Sequence, residues 1–231
     1  MSLGKPHLMF RIILISLALF LASNRSVSAG DGIAIAIVFD TSGSMLASVP
    51  GKNGQPVQKF MVARSAMETV VGRIAEFTKS SGKPVQVALF AFDGKAGSRE
   101  VLPLGAFDAK RIRDALPARE AIAGGTPLGR SAEAAARSVM KAKADSRHVL
   151  IITDGENSVG PKPEDAMKSL DAEMTKSGTP VQFHFLAFDV NADVFAGVKR
   201  AGATLVSAAD EKQLNEKLGI LLEEKILLEK E

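Results

Sequence analysis

The chain has 231 residues, a length that one α/β domain can fill, and 46% of them are hydrophobic, enough for a sizeable core. It has no cysteine, which excludes a disulfide framework, a thiolate metal site and a cysteine nucleophile. It also lacks tryptophan and tyrosine, which leaves Arg, Phe, Met and any bound metal to carry affinity at an interface.

The amino terminus reads as an export signal. Lys5 and Arg11 precede the apolar run Ile12 to Ala22, polar Ser23 to Ser26 follow, and Val27, Ser28 and Ala29 complete the pattern. The alternative is a membrane anchor, but eleven helical residues span only about 16 Å against a hydrocarbon core of about 30 Å. The expected product is therefore exported, periplasmic or secreted, with no stable membrane span after cleavage. The formal charge of +3 belongs to the same segment. Lys5, Arg11 and Arg25 lie in it with no acid, so without residues 1–29 the 29 basic residues become 26 against 26 acidic. The charge thus gives no support for a nucleic-acid partner, and no RNP, zinc-finger or basic-helix pattern accompanies it.

Ile33 to Phe39 is a run of seven apolar residues, short for a helix and rich in β-branched side chains, and reads as a strand buried on both faces. Asp40, Ser42 and Ser44 follow it at alternate positions. An acid and two hydroxyls converging above one strand tip suit a hard divalent cation. Ser and Asp after a strand are also common turn residues that cap their own backbone. Met45 to Pro56 reads as a loop, with Met45, Leu46 and Val49 as candidate contacts at the rim of the site.

Phe60, Ala63, Met67, Val70, Ile74 and Phe77 recur at helical spacing, predicting a helix of about five turns that stops at Ser81 and Gly82. Val85 to Phe92 is a second strand, Glu100 to Leu104 a short antiparallel edge, and Asp108 caps a helix through Leu116. Gly124, Gly125, Thr126 and Pro127 precede an alanine-rich helix over Ala132 to Ala144; Thr126 and Pro127 suit the N-cap and N1 positions. Val149 to Thr153 is a strand ending in Asp154 and Gly155. Glu164 to Lys176 is a helix, Val181 to Phe188 a strand, Asp193 to Arg200 a helix and Thr204 to Val206 a short strand. A last helix opens at Ser207 with Asp210 three residues on, and carries Leu214, Leu218, Leu221 and Leu222 on one side. Strands alternating with helices predict a doubly wound α/β sheet.

Ser81 to Asp93 and Ser177 to Asp189 share eight of thirteen positions. Both read as a helix stopped by Gly, a strand started by Pro, and an Asp in the turn after it, so Asp93 and Asp189 are read as turn residues rather than ligands. His148 and His184 lie at or in strands away from the Asp tips and read as packed or surface residues.

Asp-x-Ser-x-Ser after the first strand, the GGTPLG loop with Thr126 and ITDGEN with Asp154, in that order within an alternating α/β pattern, resemble the von Willebrand factor type A domain. The resemblance covers Gly32 to about Leu222. Together with the export signal, it divides the chain into a signal peptide (1–29), the domain (30–222) and a C-terminal helical tail (223–231). It implies a mostly parallel six-stranded sheet with one antiparallel edge strand and helices on both faces. It also implies a metal-ion-dependent adhesion site formed by Asp40, Ser42, Ser44, Thr126 and Asp154, holding Mg²⁺, with Mn²⁺ and Ca²⁺ as alternatives. In such domains the cation's open position accepts an Asp or Glu carboxylate of a protein partner.

Two functions follow. One is an exported, metal-dependent binding module, favoured by an oxygen-rich site with no nucleophile and base pair. The other is a metal-dependent phosphoryl hydrolase with Asp40 as nucleophile. Hydrolases of the haloacid dehalogenase type place a second Asp two residues after the first, where this chain has Ser42, a poor general acid. With both carboxylates in one site, their repulsion predicts that Asp154→Asn raises the melting temperature of the metal-free protein. The segment assignment makes its own prediction: with small residues at Val27 and Ala29, the exported form should begin at Gly30, and intact mass checks this. A species that keeps Ile12 to Ala22 would overturn it.

Overall fold

The computed structural model describes residues 32–51, 53–92, 97–119 and 123–228, all within one compact unit, Asp31–Glu231. The signal segment and Asp93 lie outside the described residues. No helix among the described residues is long and apolar enough to cross a membrane.

In chain order the strands are β1 (Ile33–Phe39), β2 (Ser48–Pro50), β3 (Pro56–Gln58), β4 (Val85–Phe92), β5 (Ser98–Ala106), β6 (Ser146–Thr153), β7 (Gln182–Phe188) and β8 (Thr204–Ala208). The helices are α1 (Lys59–Ser81), α2 (Ala109–Ala115), α3 (Leu128–Met140), α4 (Pro163–Ser177), α5 (Ala196–Arg200) and α6 (Glu211–Leu221). Six strands form one sheet in the order β5-β4-β1-β6-β7-β8. All neighbours run parallel except β4 and β5, so the sheet is doubly wound with one antiparallel edge, as the sequence predicts.

β1 is buried at every position because the sheet is covered on both sides. Ile33, Ile35, Ile37 and Phe39 enter one apolar cluster with α1, α2 and α6, whereas Ala34, Ala36 and Val38 enter another with α3, α4 and α5. The alanines of β1 face Ala132, Ala135 and Ala136 of α3, and this small-residue contact lets the helix lie close to the sheet. Gly129 belongs to the same economy of space: a Cβ there would stand 2.1 Å from the Pro161 carbonyl oxygen. α1 buries Phe60, Ala63, Met67, Val70, Ile74 and Phe77, the stripe its sequence announces, and stops at Gly82 in the left-handed conformation (φ 69°).

Differences from the sequence expectations have local causes. The stretch read as a loop after Ser44 contains a two-stranded hairpin, β2 with β3, in which Val49 pairs with Val57. α3 begins four residues earlier than expected, directly after Pro127, whose fixed φ suits a helix start. Ala142 and Ala144, which prolong the alanine pattern, instead pack from the following turn, where Asp145 N donates to Gly32 O at 2.8 Å. Ser207 is the fourth residue of β8 rather than a cap; Asp210 caps α6, its carboxylate accepting from Gln213 N at 2.8 Å. Beyond α6 the chain continues as a π-helical turn, Leu222–Leu227, whose Ile226 and Leu227 are buried in the first cluster.

His148 and His184 are both buried, on β6 and β7, with stacked rings 5.4 Å apart and Nδ1 of His148 3.1 Å from Nε2 of His184. Burial pushes His148 down from 6.5 to about 4. Because the unfolded chain binds this proton more readily, the contribution is intact above pH 6.5 and is lost as pH falls towards 4. The full loss corresponds to roughly 3 kcal/mol. Urea unfolding at pH 7.5 and 4.5 should show a smaller drop in stability for His148→Leu than for the wild type. An equal drop in both would contradict the assignment.

Candidate metal centre

β1 and β6 end side by side. Phe39 lies opposite Ile152, and Asp40 N donates to Ile152 O at 3.2 Å, so Asp40 leaves the sheet level with Thr153 and Asp154. The Asp40 carboxylate is wholly buried. Its Oδ1 accepts from Ser42 N at 2.7 Å and its Oδ2 from Thr153 Oγ1 at 2.5 Å. Burial pushes its pKa up to about 6; hydrogen bonds from Ser42 and Thr153 pull the other way, and the nearby Asp154 charge adds a smaller push upward. Thr41 points aside and ties the loop to the end of β4, donating to Phe92 O at 3.2 Å and accepting from Phe92 N at 3.1 Å.

The hydroxyls continue the polar chain. Ser42 Oγ lies 3.0 Å from Ser44 Oγ, and Ser44 Oγ donates to Asp154 Oδ1 at 2.7 Å. Thr126 approaches from a third segment. That segment is fastened on both sides, by Gly43 N to Gly124 O at 3.3 Å and by the reciprocal bonds Thr126 N to Ser158 Oγ (2.8 Å) and Ser158 N to Thr126 O (3.0 Å). A Cβ added at Gly155 would lie 3.6 Å from Thr126 Oγ1 and 3.7 Å from Ser44 Oγ. The two hydroxyls therefore flank one small space that the missing side chain leaves open.

The five predicted residues are thus gathered: Asp40, Ser42, Ser44 and Asp154 through short polar contacts, and Thr126 across Gly155. Among the described residues no three carboxylate or imidazole side chains cluster as a metal cage, so a cation held here would draw on hydroxyls as well as acids. Three hydroxyls and two carboxylates are a donor set that a hard, oxygen-seeking cation fits, with a coordination position left for water or a ligand. Thr126 is not the helix cap: Pro127 holds the N-cap position, and the side chain that receives a first-turn amide of α3 is Asn157, whose Oδ1 accepts from Gly129 N at 3.2 Å. Of the expected rim residues, Leu46 is exposed, but Met45 and Val49 are buried in the first cluster and offer a partner nothing.

Three participants carried no motif. Thr153 is the last residue of an apolar strand and reads as core, yet it holds Asp40. Lys59, almost fully buried, places Nζ 3.0 Å from Asp154 Oδ2 and 2.9 Å from Asp189 Oδ2. Burial lowers the Lys59 pKa, but the bonds to Asp189 and Asp154 outweigh it and leave it above its ordinary value. The sequence did contain a signal for Lys59, a cation at the first position of a helix, where the dipole favours an anion. Asp189, read as a turn residue, does occupy a turn with φ 49°, and its carboxylate also meets this ammonium.

Lys59 changes the electrostatic expectation for Asp154. In the metal-free protein this carboxylate is paired with an ammonium, and its charge is the smallest of the influences on Asp40. Its removal therefore deprives a buried lysine of a partner instead of relieving strain.

Residues 35–157, more than half of the chain, match the von Willebrand factor type A domain. Comparison with curated protein sequences finds no match. Among solved structures, a mutant of the PilB minor pilin from Streptococcus sanguinis superposes with a TM-score of 0.64 at 17% identity, over 85% of this chain and 62% of that one. An aerotolerance-related membrane protein from Bacteroides fragilis gives 0.63 at 20%, over 84% of this chain and 98% of that one. The pilus adhesin SpaC from Lactobacillus rhamnosus gives 0.60 at 15%, over 82% and 30%. This chain accordingly spans less than two thirds of the pilin and adhesin chains but nearly all of the Bacteroides protein. The sheet order and the match over residues 35–157 agree: the chain belongs to the von Willebrand factor type A domain family.

Proposed function

We propose that this protein is an exported binding module that captures an acidic group of a protein partner through a divalent cation, Mg²⁺ by preference, held by Asp40, Ser42, Ser44, Thr126 and Asp154. The observation that carries the reading is the polar chain Ser42–Ser44–Asp154 beside the buried Asp40, with the Ser44 and Thr126 hydroxyls flanking one small space and no nucleophile and base pair beside it among the described residues. The cation would supply the positive charge that a partner's Asp or Glu seeks.

The residues of the chain do the rest. Asp40, held through both oxygens, provides a fixed negative charge below the hydroxyls. Ser44, exposed at the top of the loop, faces the partner side, and Leu46 offers an apolar contact next to it. The pilin and adhesin likenesses support a role in adhesion or interaction. Complete burial of Asp40, with both oxygens engaged, favours a charge anchor over a nucleophile that must reach a phosphate.

Affinity capture from the exported fraction tests the reading. Partners should be retained by the wild type in Mg²⁺, released in EDTA and absent with Ser44→Ala. Partners kept equally in all three conditions would overturn it. Metal-free stability offers a separate check: Asp154→Asn should lower stability in EDTA by about 1–3 kcal/mol, because Lys59 loses a buried partner. Thermal unfolding followed by circular dichroism measures this. A rise would restore simple repulsion between the two carboxylates as the dominant effect.

A further inference from the structure

Lys59 is buried at the first position of α1, where the helix dipole disfavours a cation, and the first turn of that helix holds no acid to offset it. Two carboxylates from other elements hold it there, Asp154 beyond β6 at 3.0 Å and Asp189 beyond β7 at 2.9 Å. Asp189 adopts φ 49°, the only non-glycine residue with positive φ among those described, and such strain persists where the surroundings hold it in place. Asp154 meanwhile presents its other oxygen to Ser44. One carboxylate thus stands between a buried ammonium and the space flanked by Ser44 and Thr126.

We propose that Lys59 is a built-in cation that competes with the divalent metal for Asp154, and so sets the metal affinity of the site, with Asp189 as the acceptor to which the ammonium retreats when metal binds. The inference rests on the metal-binding reading above. Two positive charges on opposite oxygens of one carboxylate repel across a few ångströms, and burial weakens the screening between them. A second acceptor makes the competition reversible. The ammonium can move its weight onto Asp189, half-exposed and outside the proposed ligand set, without being stranded.

The competition separates a modulating lysine from a merely structural one, because the two differ in the sign of an affinity change. Lys59→Met removes the charge but keeps the length of the side chain. It should lower the melting temperature in EDTA and tighten Mg²⁺ binding, measured by isothermal titration calorimetry, at least about tenfold. Asp189→Asn is the second variant, and it keeps the fold because Asn tolerates positive φ. It leaves the whole ammonium charge on Asp154 and should weaken Mg²⁺ binding about threefold or more.

If the wild type binds Mg²⁺ and Lys59→Met binds it equally or more weakly, the competition is overturned while the metal site stands. Unchanged affinity in Asp189→Asn overturns it in the same way, including where Lys59→Met does not fold. If neither the wild type nor either variant binds Mg²⁺, the metal-binding reading fails and the inference with it.

Discussion

The register of β1 against β6 is the constraint on which the site depends. Phe39 opposite Ile152 brings two chain segments more than a hundred residues apart to the same height, and everything above follows from that level. A slip of one residue would reverse which side chains face which helix layer, setting the isoleucines of β1 against α3 where Ala34, Ala36 and Val38 now pack. Burial on both faces therefore fixes the register far more firmly than a half-exposed strand would. The polar cluster above inherits its precision from apolar packing below.

That precision carries an electrostatic cost. Asp40 has no solvent exposure, and its carboxyl titrates near 6 because burial outweighs the hydrogen bonds that favour its charge. Asp154 is paired with Lys59, and Lys59 is tolerated at the start of a helix because Asp154 and Asp189 receive it. The metal-free site is a compensated network rather than a bare acidic pocket. One residue of the pair, Asp40, has hydroxyl and amide donors for compensation; the other has an ammonium.

Much of this was legible in the sequence because it rests on local chemistry. The seven apolar residues of β1, the glycine stops after α1 and α4, and the stripe from Phe60 to Phe77 are each fixed by periodicity or by a backbone need at one position. Asp40, Ser42, Ser44, Thr126 and Asp154 were singled out by the resemblance to the von Willebrand factor type A domain, and all five lie near the tips of β1 and β6. The β2 and β3 hairpin was not, since its three-residue strands are shorter than any alternation can reveal, and its glycines and prolines read as loop. Met45 and Val49 were misjudged for the same reason: short segments fold back under the site, and burial there is decided by tertiary contact. Lys59 and Thr153 carry no motif, because their roles arise only when separate elements meet.

The start of α1 shows how those elements are joined. Lys59 N donates to Ala47 O at 2.8 Å, and Phe60 meets Phe39 edge to face with ring centroids 5.8 Å apart and planes at 88°. The loop that carries Ser42 and Ser44 is therefore bound to the first turn of α1, which is itself bound to the tip of β1. The loop with Thr126 is tied to it at Gly43 and to the loop beyond Asp154 at Ser158. Three loops thus restrain one another through hydrogen bonds between them. The hydroxyls and carboxylates at the strand tips are held in place by the fold itself, with Lys59 bonded to Asp154 and Asp189 at once.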